Sequence, residues 1–204
     1  MELSKAPTNQ DKQIAAAAYN KFSQLPGAQH IATDFALSHL SRLLFDIQPK
    51  RVLEMGAGIG TITHLLIHHP VAIGKIVSTE NNQFCLQALK ENIGKSTDQW
   101  TLVPDLPAVL ELGFTYDLII IDGILDDARG YAVFQNGVVC FVEGIRKEIR
   151  DALINHLASR PLTCQFTSYI RPPKLRFSKK RLFGLIPKLK YQTKKGCHIA
   201  RIAN

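Results

Sequence analysis

Nothing in this 204-residue chain is apolar for long enough to span a bilayer. Apolar runs such as 118–121 and 138–142 are strand-sized, whereas a spanning helix needs roughly 18–20 residues. The start, MELSKAPTNQ, has no apolar segment behind its charges, so no secretory signal is expected. Cys85, Cys140, Cys164 and Cys197 form no CxxC pair, which argues against a thiolate metal knuckle or a dithiol redox motif. Reduced thiols and a cytoplasmic location are the expectation. There is no internal repeat and no low-complexity tract. Acidic residues also run out: none follows Asp151, while twelve of the 25 Lys and Arg do, which leaves residues 1–151 at a net charge of −4 within a chain of +8. The basic character therefore belongs to the C-terminal quarter. It would attract an anionic partner such as RNA, an acidic glycan or a lipid headgroup, or else serve only as a solvated loop.

What is present is an ordinary globular composition, 46% hydrophobic and 21% charged, enough for one domain with a modest extension. Residues 10–22 and 34–48 read as two helices, the second with Thr33 as its N-cap and apolar residues on one face, closed by Pro49. From Lys50 strands alternate with helices. Strands are predicted over 51–55, 75–79, 99–103, 116–121, 137–142, 162–170 and 197–202. Helices are predicted over 60–69, 82–93, 106–112 and 143–159. This alternation, with near-continuously apolar strands, predicts an α/β Rossmann-like three-layer sandwich. Its seven-stranded sheet should be mostly parallel with an antiparallel last strand, and ligands should bind at the strands' carboxyl ends. Two units are expected: N-terminal helices over 1–49 capping the pocket, and a main domain over 50–204 carrying a basic insertion at 171–196.

The chemical signal lies in RVLEMGAGIGTIT, residues 51–63, where a strand runs into Gly56, Gly58 and Gly60 and then a helix. Alternate glycines let a ligand lie against the main chain. The dinucleotide fingerprint needs a small residue at 61, where the chain has Thr61. Glu54, two residues before the first glycine, would repel a pyrophosphate but favour an ammonium or sulfonium. The pattern suits a zwitterionic, cationic cofactor.

Residues 54–60, EMGAGIG, resemble motif I of the class I S-adenosylmethionine-dependent methyltransferases, [DE]-x-G-x-G-x-G. The likeness implies that the loop bearing Gly56, Ala57, Gly58 and Gly60 lies beside the methionine and ribose of S-adenosylmethionine, with Glu54 fixing its amino end. Glu80 ends the second strand 20 residues after Gly60, where a carboxylate can accept both ribose hydroxyls. Asn81 occupies the position that packs on the adenine, although an apolar residue is usual there. Pro104-Asp105 stands where the family often has Gly-Asp, which makes Asp105 the match for the residue reaching the adenine amino group. YDLIIIDG, residues 116–123, is similar to motif IV and puts Asp122 at the sheet edge, where the methyl group is presented. The resemblance covers roughly residues 30–170.

Methyl transfer to oxygen or nitrogen needs the acceptor oriented and relieved of a proton. Asp122 is the candidate catalytic residue. It could join Asp126 and Asp127 in an oxygen-rich metal site, but near the next strand Asn136 has no Asp beside it, so no metal is expected. His64 and His68 have zinc-binding spacing without a third ligand, and they read as structural. The motif after the fourth strand is IDGI, not the [DN]-P-P-[FYW] of base-amino methyltransferases. Three readings remain. The first is an enzyme methylating a small-molecule or carbohydrate-like acceptor, probing it partly with segment 171–195. The second is a methyltransferase of RNA or another polyanion held by that segment through Arg171, Lys174, Arg176, Lys179, Lys180 and Arg181. The third is a non-catalytic cofactor-binding or interaction module.

Overall fold

A computed structural model describes residues 5–123, 132–172 and 196–204. Helix α1 (Asn9–Phe22) begins at a capping box between Thr8 and Asp11, and α2 (Asp34–Ile47) begins where the Thr33 hydroxyl accepts the Ala36 N–H. The two helices are joined by a buried polar chain. The Val71 N–H donates to His69 Nδ1, which leaves the ring proton on Nε2 facing Ser41 Oγ at 3.1 Å. The Ser41 hydroxyl in turn donates to Asp11 Oδ1 at 3.1 Å. Burial holds His69 well below its ordinary range, near 4, which keeps the ring neutral.

Seven strands follow: β1 (Arg51–Met55), β2 (Lys75–Thr79), β3 (Trp100–Val103), β4 (Leu118–Ile121), β5 (Val139–Glu143), β6 (Thr163–Ile170) and β7 (Gly196–Ala203). They form one sheet in the order β3-β2-β1-β4-β5-β7-β6, parallel except for β7, which runs antiparallel to both neighbours. Helices α3 (Thr61–His68), α4 (Gln83–Asn92), α5 (Leu106–Glu111) and α6 (Lys147–Ala158) complete the described elements. Alternate strand residues feed two cores. Val52, Ile76, Leu118, Ile120 and Phe141 pack with α1, α2 and α3, while Leu53, Val77, Ile119, Ile121 and Val142 pack with α5 and α6. Both sheet faces are covered at the centre, which is why β4 and the apolar part of β5 read as unbroken apolar runs, whereas the edge strand β6 stays partly exposed. The expected α/β three-layer architecture is present, and no described helix is long and apolar enough to cross a membrane.

Most element ends fall within two residues of those expected, and one boundary differs by more. The helix expected over 143–159 starts at Lys147, because Glu143 is the last residue of β5, paired with Cys197, and Gly144 turns the chain at φ +75°. Asp126, Asp127 and the basic residues of 173–195 lie outside the described residues.

Candidate functional site

The sheet reverses its winding between β1 and β4, and the glycine run emerges there. Open α/β sheets bind ligands in this crevice. Gly56 has φ +89°, and a Cβ on it would stand 2.8 Å from the Gly123 backbone nitrogen, so the loops after β1 and β4 touch main chain to main chain. Gly58 differs. At φ +55° a Cβ there would meet nothing within 4 Å, and the residue lines a cleft of about 930 Å³. Any side chain at 58 would therefore occupy the cleft space over the main chain. Gly60 caps α3, and Ala57 turns into the core.

The two carboxylates of this half behave differently. Glu80 lines the cleft and gathers backbone donors: Gly58 N–H at 2.8 Å on one oxygen, and Asn81 and Asn82 N–H at 2.9 and 2.8 Å on the other. It ties the glycine loop to the end of β2 and, as a carboxylate with about four acceptor positions, keeps capacity for a ligand hydroxyl. Glu54 is fully buried and does not line the cleft. Its Oε2 accepts Thr63 and Ser78 hydroxyls, both at 2.6 Å, while Oε1 has no hydrogen-bond partner among the described residues. Burial pushes this carboxyl up to about 7. Asn81 and Asp105 both line the cleft, and Asp105 also N-caps α5 by accepting the Ala108 N–H.

On the other side the wall is assembled from distant segments. Asp122 follows β4, and its carboxylate oxygen Oδ1 accepts Arg146 Nη2–H at 2.9 Å while its carbonyl accepts Arg146 Nη1–H at 2.8 Å. The same guanidinium lies 3.6 Å from Glu143 at the end of β5, and Glu143 accepts the Thr33 N–H at 3.4 Å. Burial, then Glu143, raise the Asp122 carboxyl well above the ordinary carboxylate range, and Arg146 opposes them. The 28–33 stretch, including His30, closes this side of the cleft. Arg171 forms a two-pronged ion pair with Asp34 at 2.8 and 2.7 Å, beside that stretch in sequence. The His64 and His68 rings pack at a tilt of 37°, centroids 4.1 Å apart, and line no part of the cleft.

Sequence reading missed Glu143 and Arg146. Their signal was a carboxylate and a guanidinium three residues apart directly after an apolar strand. It was hidden because the amphipathic pattern of the next helix extended back over Glu143.

The described charged lining comprises Glu80, Asp105, Asp122 and Glu143, with Arg146 as the one Lys or Arg. Four carboxylates repel a pyrophosphate and favour a ligand that is cationic or rich in hydroxyl donors.

No family model matches the chain, and no curated protein matches it. Solved structures do. A methyltransferase of Podospora anserina, solved with S-adenosylhomocysteine, superposes with a TM-score of 0.60 at 15% identity, covering 98% of this chain and 99% of its own. An O-methyltransferase from Bacillus cereus in complex with S-adenosylhomocysteine gives 0.58 at 14%, covering 96% and 92%. The Streptomyces achromogenes O-methyltransferase of tomaymycin synthesis, solved with S-adenosylmethionine, gives 0.56 at 16%, covering 100% and 93%. At these identities the likeness establishes a shared fold, the Rossmann-like fold of these methyltransferases.

Proposed function

We propose that this chain is an S-adenosylmethionine-dependent methyltransferase acting on an oxygen of a small-molecule or carbohydrate-like acceptor. The observation that carries this reading is a cleft at the switch point whose floor is bare main chain at Gly58 and whose described charged lining is carboxylate-rich. Such a surface fits a sulfonium nucleoside and disfavours a dinucleotide. When bound, the cofactor supplies an activated methyl group. In this reading Glu80 accepts the ribose hydroxyls, the Gly56–Gly60 loop underlies the ribose and amino-acid portion, and Asn81 and Asp105 flank the adenine. Glu54 reaches the amino end through water from Oε1. Asp122 takes the acceptor's proton, which fits a carboxylate whose proton affinity burial and Glu143 raise above the ordinary range at the rim of the sheet. Arg146 holds it in place, and the 28–33 wall shields the acceptor from solvent.

Two of the three superposed structures are O-methyltransferases, which supports an oxygen acceptor. The polyanion reading draws on Arg171 and the basic residues of 174–181, and Arg171, the one described member of that set, is committed to Asp34.

Isothermal calorimetry with S-adenosylhomocysteine tests the core of the reading. Micromolar binding with no response to NAD is the expected result, and absence of binding at millimolar nucleoside overturns it. Incubation with methyl-labelled cofactor and a cell extract then separates the acceptors. Label in the small-molecule fraction supports this reading, and label confined to RNA transfers it to the polyanion alternative.

A further inference from the structure

The acceptor side of the cleft contains an arrangement that the cofactor side lacks. Two carboxylates from adjacent parallel strands, Asp122 after β4 and Glu143 at the end of β5, come together at one edge, and a single guanidinium lies against both. Arg146 follows β5 by three residues, and its side chain turns back over the strand end because Gly144 redirects the main chain at φ +75°. One guanidinium nitrogen meets the Asp122 carboxylate and the other meets the Asp122 carbonyl. A fork bonded to both the side chain and the backbone of one residue fixes that carboxylate in position as well as in charge. Arg146 is itself 35% exposed and lines the cleft, so it acts from the wall and not from the core.

We infer that Arg146 is the positioning residue of this site, an internal cation that holds Asp122 in one orientation and favours its charged form against Glu143 and Glu54. This rests on the reading of Asp122 as the proton acceptor, but its physical content does not require the cofactor. Among the described residues the charged groups facing Asp122 are Glu54 from β1, Glu143 from β5 and Arg146 from the turn before α6, and of these Arg146 alone favours the charged carboxylate. Remove it, and a largely desolvated Asp122 beside two acids retains its proton to higher pH and cannot accept another.

The test is a carboxyl-carbon NMR titration of full-length protein labelled with 13C at the aspartate side-chain carboxyl, the Asp122 signal being assigned by its loss in Asp122→Asn. In Arg146→Met the Asp122 midpoint is expected to rise by about one pH unit or more, and in Arg146→Lys by less. In Glu143→Gln it is expected to fall, because a repelling charge has gone. This second variant keeps the test decisive if Arg146→Met does not fold. A midpoint unchanged in every folded variant, or shifted in the same direction by the Arg146 and Glu143 substitutions, overturns the inference and leaves Arg146 a structural brace. S-adenosylhomocysteine calorimetry on the same samples separates the two claims. Loss of binding in the unmodified protein removes the methyltransferase reading alone, and an unmoved titration removes this one alone.

Discussion

On the β1–β2 side of the cleft the binding surface is main chain, with Gly56 packed on backbone, Gly58 open to the cleft and one carboxylate anchored by three backbone N–H groups. On the β4–β5 side it is side chain, with Asp122, Glu143 and Arg146 meeting near the 28–33 wall. The first side resembles a rigid mould, since backbone positions are fixed by the sheet. The second depends on a balance of charges and can be retuned by single substitutions. A chain built this way can hold one cofactor while its acceptor chemistry varies.

The contrast breaks most sharply at the glycines. Gly56→Ala combines a left-handed backbone with a Cβ 2.8 Å from a backbone nitrogen, and is expected to cost about 3 kcal/mol or more in thermal unfolding, with nucleoside binding lost alongside. Gly58→Ala meets no atom, so it should cost only about 1 kcal/mol of stability while lowering S-adenosylhomocysteine affinity at least ~10-fold by filling the cleft. Equal stability losses at the two positions would mean that the loop is not the rigid mould described here.

Glu54 gives the next largest effect, read through pH. Its folded carboxyl titrates near 7 against 4.5 for the free group, so the stability it contributes is fully present below 4.5 and is lost as pH rises through about 7. Glu54→Gln has no such loss. Comparing the two proteins by urea unfolding at pH 5 and pH 8, the variant should gain on the order of 2 kcal/mol relative to the parent. A difference that does not change with pH would show that the carboxylate is already ionised in the fold, through a partner supplied to Oε1.

The smallest effect belongs to the acceptor side. Arg171→Ala removes a partly exposed ion pair to Asp34 and should lower stability by about 0.5 kcal/mol, less in high salt. A loss several times larger would make the 28–33 wall as rigid as the glycine loop and would erase the distinction.

The strand ends and the glycine loop were legible in the sequence because each leaves a local pattern. Residues 51–55 and 75–79 were readable to the residue, since both sheet faces are buried and their apolar runs are bounded by charge or glycine. Glu80 was legible for the same reason, as the first acid past a strand. Glu143 was not, because one more β residue and the first residue of an amphipathic helix look alike until the antiparallel partner Cys197 is in place. Nor was the burial of Glu54. Its position before the glycines suggested a place near the cofactor's amino end, but not that one of its oxygens would be taken inside the fold by the Thr63 and Ser78 hydroxyls.

Local order in the chain was enough to determined the layers, the strand directions and the main-chain half of the cleft, because hydrophobic period and glycine placement act over a few residues. Only the tertiary structure decided which carboxylate is solvated by backbone, which is buried and which is held by a guanidinium. Those outcomes depend on groups such as Thr33, Asp122, Glu143 and Arg146, whose separations along the chain set no distance in space until β7 closes beside β5.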